Sequence, residues 1–171
     1  MLKRPEENEY PSYYNNYIKL VPAGNLLEIL EDQLKEAVTL FSGLSEEQGN
    51  IAYASGKWTV KEVVGHMMDT ERIMSYRLLR IARGDQTPLA GFSEVDYALE
   101  GDFTERPLSE LVEEFQAVRK STLSLLHGMP EHAWLRSGTA NELPLTAQAI
   151  AYIIAGHGIH HVNIIKDKYI Q

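Results

Sequence analysis

Four stretches of the chain repeat apolar residues at the three-and-four spacing of an α-helix. In residues 25–42, Leu26, Leu27, Leu30, Leu34, Ala37, Val38 and Phe41 form one stripe. Asn25 stands at the N-cap position, Glu28 completes a capping-box pattern, and Gly43 follows as a stop. The second stretch, 60–83, opens on another box, Thr59 with Glu62, with Trp58 and Val63 at hydrophobic-staple positions, and Gly84 closes it. The third, 108–127, ends at Gly128 and Pro130, and the fourth runs over 146–168. Strand-like alternation is nearly absent. The pattern predicts an all-α fold, a four-helix bundle with long second and third connections.

The remaining segments lack sustained periodicity. Residues 1–22 are polar and Tyr-rich, with Pro5, Pro11 and Pro22. They are expected to form an arm, with a short helical turn, packed over the bundle by its tyrosines. Residues 84–106 mix Gly, Pro, Asp and Thr; "SEVDYALE" predicts a short helix there, and loops of this length are often functional. "PEHAWLRSGTANELP" is read as a connection with one turn around Trp134.

Composition narrows the function. A chain of 171 residues fits one domain spanning 1–171 with its own core. There is no cysteine, so disulfides, thiolate metal sites and cysteine nucleophiles are excluded, and any metal must be held by His, Asp or Glu. The net charge of −8 repels phosphate backbones, and no basic cluster offsets it, so no nucleic-acid partner is expected. The N-terminus lacks the apolar core of a signal peptide, and no run approaches the roughly 20 apolar residues of a membrane span. A cytoplasmic protein acting on a small molecule, with no membrane partner, is the expectation.

The chemistry concentrates in "GHGIHHVNII" (156–165), which carries His157, His160 and His161 in an otherwise apolar stretch. With Ile150 at the centre of the last helix's apolar stripe, His157 and His161 fall about 20° to either side and His160 about 80° away, at about 100° per residue. Two imidazoles one turn apart on a core-facing stripe can share a metal ion. They can also be satisfied as a buried polar cluster, each with its own hydrogen-bond partner. A third ligand must come from another helix, and His66 is the candidate. It lies on a line with Val63, Thr70, Ile73 and Arg77, on the flank of a broad apolar stripe. His127, beside a helix stop, is expected to meet free carbonyls, and His132 falls in a surface loop.

Two segments carry a family resemblance. "WTVKEVVGHMMDTERI" (58–73) pairs an aromatic residue and a cap with a His followed three and five residues later by acids, and "AIAYIIAGHGIHHVNII" (149–165) carries H-x-x-x-H with a His between. Together they resemble the second and last helices of the DinB/YfiT-like family of metal-binding four-helix bundles. "RPEENEYPSYYNNYIKLVPAGN" (4–25) and "GDQTPLAGFSEVDYA" (84–98) are similar to family features as well.

The resemblance implies a divalent transition metal, zinc or nickel, held by His66, His157 and His161. It implies a metal-dependent enzyme, a low-molecular-weight-thiol S-transferase or a hydrolase, and a homodimer. Three protein ligands leave a coordination position open, the pattern of catalytic zinc. Asp69, one turn after His66, is expected to orient that histidine's free nitrogen or to act near the metal as a base. Glu71 points elsewhere and is expected to pair with an Arg of a neighbouring helix. Arg77 is expected to pair with an internal acid, with the holding of a substrate carboxylate as the alternative. Tyr53 and Tyr97 are candidates for a pocket wall. The competing function is a non-catalytic metal- or small-ligand-binding protein of a stress response.

Overall fold

The capping signals are where the helices begin. In the computed structural model, which describes residues 2–170, Asn25 accepts from Leu27 N, and Thr59 and Glu62 close a reciprocal box. In chain order the helices are α1 (Asn15–Leu20), α2 (Leu26–Ser42), α3 (Glu46–Gly49), α4 (Val60–Ala82), α5 (Glu94–Glu100), α6 (Leu108–His127) and α7 (Ala147–Ile164). A π-helical turn, Ile165–Tyr169, extends α7. Gly84 takes φ +82° just past α4, a backbone region open to glycine at no steric cost. Among the described residues no helix is long and apolar enough to cross a membrane.

The four long helices form the bundle. α4 packs on α6 and α7, and α2 packs on the same two, so α2 and α4 lie across a diagonal from each other, as do α6 and α7. Chain-successive helices therefore do not always touch. The step from α2 to α4 and the step from α6 to α7 both cross the bundle, which requires long connections.

The all-α expectation holds with one addition. Residues read as plain connection form a two-stranded antiparallel hairpin, β1 (Ser137–Ala140) with β2 (Leu143–Thr146). Its two-residue turn puts Asn141 at φ +50° and Glu142 at φ +65°. Such turns are usually announced by Asn-Gly or Asp-Gly, and here a Glu holds the second position. The strands are also too short, at four residues each, to show alternation. Leu89 joins the hairpin through Leu89 N to Thr139 O (2.9 Å) and Asn141 N to Leu89 O (2.9 Å), which ties the second connection to the third.

The core is divided. One apolar cluster joins the start of α2 (Leu26, Leu30), the end of α4 (Leu78, Ile81), the end of α6 (Leu126) and the start of α7 (Ile150, Ile153). The arm adds Tyr10, Tyr14, Ile18 and Val21 to it. The other cluster joins the end of α2 (Phe41), the start of α4 (Val64, Met68), the start of α6 (Leu111, Phe115) and the end of α7 (Val162). Between them runs a polar belt, with Gln33 on α2, Thr70 and Glu71 on α4, Arg119 and Thr122 on α6, and His157 and His161 on α7.

Within the belt Arg119 is fully engaged. Its Nε donates to both Glu71 oxygens (2.8 and 3.0 Å), one terminal nitrogen to Glu71 Oε2 (2.9 Å), and the other to Leu30 O (3.3 Å) and Gln33 Oε1 (3.2 Å). The Arg expected to pair with Glu71 is thus Arg119, and the pair is buried rather than at the surface.

Candidate metal centre

The glycines of "GHGIHH" explain how α7 carries its histidines inward. A Cβ on Gly156 would lie 2.1 Å from Tyr17 O, so only glycine lets the backbone of α1 reach α7. A Cβ on Gly158 would meet Arg119 and Gln33 at 3.3 Å. Small residues at 156 and 158 admit the arm and the polar belt on either side of His157. His157 and His161, four residues apart, then face the one helix left, α4.

His66 on α4 meets them. Its Nε2 lies 3.0 Å from His157 Nε2 and 3.2 Å from His161 Nε2, and the three ligand atoms all lie within 4.8 Å of one another. All three side chains are buried. Around a tetrahedral zinc ion, with Zn–N bonds near 2.0–2.1 Å, ligand nitrogens stand about 3.3 Å apart. The protein already holds two of the nitrogen pairs near that spacing.

Burial also sets the protonation state. Desolvation, reinforced by His160, takes His66 down from 6.5 to about 4. Desolvation with the neighbouring imidazoles takes His161 to about 3 and pushes His157 well below its ordinary value. At neutral pH the three rings are uncharged and offer lone pairs. A shared proton could serve both His66 contacts only as a bent three-centre bond, whereas a cation at the centre accepts all three lone pairs. His161 Nδ1 is buried without any hydrogen-bond partner. Such a cluster is costly on its own, and its donor chemistry fits a borderline divalent ion.

The surroundings fix the ring orientations. Thr70 Oγ1 lies 3.4 Å from His66 Nδ1, placed to accept the Nδ1 proton and leave Nε2 free as a ligand. The Trp58 ring lies 4.8 Å from the His66 ring, centroid to centroid. Tyr17 meets His157 edge-on at 5.5 Å and His160 at 5.2 Å. His160 is half-buried beside His161, with rings 4.9 Å apart, and stays outside the cluster as its angle on the helix predicts.

Asp69 is not brought into the cluster. Its carboxylate lies 3.5 Å from Arg72, which bonds Glu114 at 2.7 Å, and Arg106 closes that half-exposed network at 2.6 Å. One residue along the helix is a rotation of about 100°, which turns Asp69 toward α6 and leaves Thr70 toward His66. The sequence signal for Thr70 is its place four residues after His66, a spacing that puts the two side chains on one face. Arg77 departs from its main expectation as well: it is buried, and no carboxylate of the described residues lies within ion-pair distance. His127 Nδ1 donates to Leu123 O (2.8 Å), as its place near a helix end suggests. His132 is exposed. Tyr53 stacks edge-on against Tyr169, and Tyr97 is exposed beside Phe92.

Comparison with known proteins places the chain in a family and supports its fold. A family model described as the DinB superfamily matches residues 29–165. A protein of Geobacillus kaustophilus named "Putative metal-dependent hydrolase" is 31% identical over 127 residues, covering 72% of this chain and 70% of the relative. Among solved structures, YfiT from Bacillus subtilis, described as a probable metal-dependent hydrolase with an unusual four-helix bundle topology, superposes with a TM-score of 0.71. It is 20% identical, over 96% of this chain and 90% of that one. A mycothiol-dependent maleylpyruvate isomerase superposes with a TM-score of 0.69 at 14% identity, over 88% of this chain and 66% of that one. At these identities the two structural likenesses speak for the fold.

Proposed function

The chain belongs to the DinB superfamily, and on that premise we propose that it is a metal-dependent enzyme whose centre is His66, His157 and His161. Two reactions are open to it: hydrolysis, and transfer to or from the sulfur of a low-molecular-weight thiol. The observation that carries this reading is the convergence of three neutral, buried Nε2 atoms without a fourth protein ligand. Among the described residues no other His, Asp or Glu joins the group, and Asp69 is turned to Arg72. A saturated structural site would have filled that position.

Imidazole donors suit zinc or nickel. A divalent ion held by them supplies Lewis acidity, lowering the pKa of a water or a thiol taken as a further ligand. The chain's own contribution is positional. Thr70 holds the His66 proton on Nδ1, Gly156 lets Tyr17 close over His157, and the Trp58 ring covers His66. Among the described residues no carboxylate stands in the cluster to act as its base, so proton transfer falls to His160, the neighbouring titratable group. Its pKa is lowered by burial.

The relatives named for hydrolysis support the first reaction, and the fold shared with a mycothiol-dependent enzyme supports the second. The test is a zinc-loaded native protein beside His66→Ala, assayed on activated esters and amides without thiol and on electrophiles with glutathione-class thiols. Turnover without thiol that is lost in His66→Ala supports the hydrolase. Turnover only with thiol supports the transferase. Metal bound at the cluster with neither activity would contradict the enzyme reading.

A further inference from the structure

Among the described residues two arginines are buried in the bundle, and only one has an acid. Arg119, 1% exposed, is matched by Glu71. Arg77 is 3% exposed and faces no carboxylate of the described residues at ion-pair distance. One of its terminal nitrogens donates to Ala90 O (2.6 Å), the other meets only Met74 Sδ (3.8 Å), and Nε is buried without a partner. A guanidinium stays charged in a protein, so this is a buried cation held by one carbonyl, a sulfur and the Phe92 ring, 5.8 Å from its centre. An unpaired buried charge of this kind is costly unless something else neutralises it.

The same side chain lines a cavity of about 390 Å3 between the arm, α4 and the loop before α5. Its walls are the rings of Tyr14, Tyr17 and Phe92, with the amides of Asn16 and Asn141. His160 lines it on the side of the metal centre, next to His161, and Tyr17 touches both the cavity and His157. Arg77 lies 11 positions after His66 on α4, which is about 16 Å along the helix axis. The cavity thus has a fixed cation at one end, aromatic walls, and the histidine cluster beyond the other.

We propose that Arg77 is the anchor of a carboxylate-binding subsite, and that the substrate is a small organic acid. Its carboxylate takes the free donors of the guanidinium, its body lies between Tyr14, Tyr17 and Phe92, and its far end reaches toward His160. A planar guanidinium matches a carboxylate in two parallel bonds, and aromatic walls select an apolar or unsaturated body. Among the described residues Glu94 is the one acid on the cavity wall. It sits at the exposed rim, outside ion-pair distance of Arg77, and burial of one side raises its pKa. The direction of the far end rests on the proposed metal enzyme; capture of the carboxylate by Arg77 does not.

The test is binding of benzoate, its neutral isostere benzamide, and inorganic phosphate, by calorimetry and thermal shift. Each is measured on zinc-loaded and chelator-stripped protein and on Arg77→Met, Arg77→Lys and Glu94→Gln. The expectation is that benzoate binds, benzamide binds at least about tenfold more weakly, and Arg77→Met loses about tenfold or more. Arg77→Lys recovers only part of this, because it keeps the charge without the fork. Stripping the metal leaves benzoate affinity unchanged, so a failure of the metal centre is seen separately. Arg77→Met, relieved of an unpaired charge, melts no lower than the native protein. The proposal is overturned by any of four results: no benzoate binding, equal affinity in Arg77→Met, or a preference for phosphate through Arg77. The fourth is a matching, non-additive loss of stability in Arg77→Met and Glu94→Gln, which would make Glu94 the partner of Arg77.

Discussion

The polar belt of the bundle holds two buried clusters, met five positions apart on α4 at His66 and Glu71, and they differ in what they lack. The Glu71–Arg119 cluster is complete. A carboxylate takes three bonds from the guanidinium, and the remaining nitrogen is matched by Leu30 O and Gln33. The histidine cluster is incomplete, with three lone pairs facing one another and a buried Nδ1 without a partner. Both are buried between the same two apolar clusters. The first is finished by the protein alone and joins α2, α4 and α6. The second joins α4 and α7 and leaves its lone pairs unmatched by the protein, an arrangement that a bound cation would complete. The belt teaches that burial of polar groups is not itself a sign of function; the unmet donor or acceptor is.

Breaking the complete cluster is expected to have the largest effect on stability. Glu71→Gln leaves Arg119 charged, buried and uncompensated, and should cost about 3–5 kcal/mol in urea unfolding. The double change Glu71→Leu with Arg119→Met removes both charges and should restore most of that loss. A single variant as stable as the native protein would show that the pair carries no such strain.

Acid acts on the incomplete cluster instead. In the metal-free protein the histidines have folded-state pKa values below the ordinary 6.5, at about 4 for His66 and about 3 for His161. The unfolded chain therefore takes up protons first as pH falls. Stability from this source is fully present above pH 6.5 and is lost as the pH drops through 6.5 toward 4 and 3. Metal competes with the same protons, so a loaded sample should release its ion in that window and unfold at lower pH than a stripped one. The two samples showing identical acid unfolding curves would count against the cluster as the ligand set.

Two smaller changes sharpen the contrast. Gly156→Ala puts a methyl group against the backbone of Tyr17 and should cost about 1–3 kcal/mol, with earlier proteolytic cleavage within residues 1–22. Thr70→Val keeps the shape but removes the acceptor for His66 Nδ1. It should weaken metal binding by about tenfold, the low end for such partners because the contact is long, and leave the metal-free fold nearly unchanged. A Thr70→Val protein with native metal affinity would remove that residue from the account.

The sequence made some of this legible and hid the rest for physical reasons. The long helices were visible because each carries an apolar stripe and most carry a cap or a stop, as Thr59 and Glu62 do. The approach of His157 and His161 to one face followed from helical geometry alone. That His66 completes the group depends on the diagonal placement of α2 and α4, which local pattern does not encode. The hairpin was hidden because Asn141 and Glu142 adopt left-handed backbone without a glycine. Asp69 was the plausible companion of His66 by chemistry, yet about 100° of helix rotation gives that place to Thr70. That Glu71 has an Arg and Arg77 lacks an acid is a fact of packing among three helices, and no spacing along one helix reveals it.

The central claim is that the histidine cluster is completed by a metal ion. Metal content by mass spectrometry on untagged native protein, beside His157→Ala/His161→Ala, tests it most directly. The account predicts about one divalent ion per chain in the native protein and its loss in the double variant, with the variant still folded by circular dichroism. A native protein that carries no ion and takes up neither zinc nor nickel, or a double variant that keeps its ion, would contradict it.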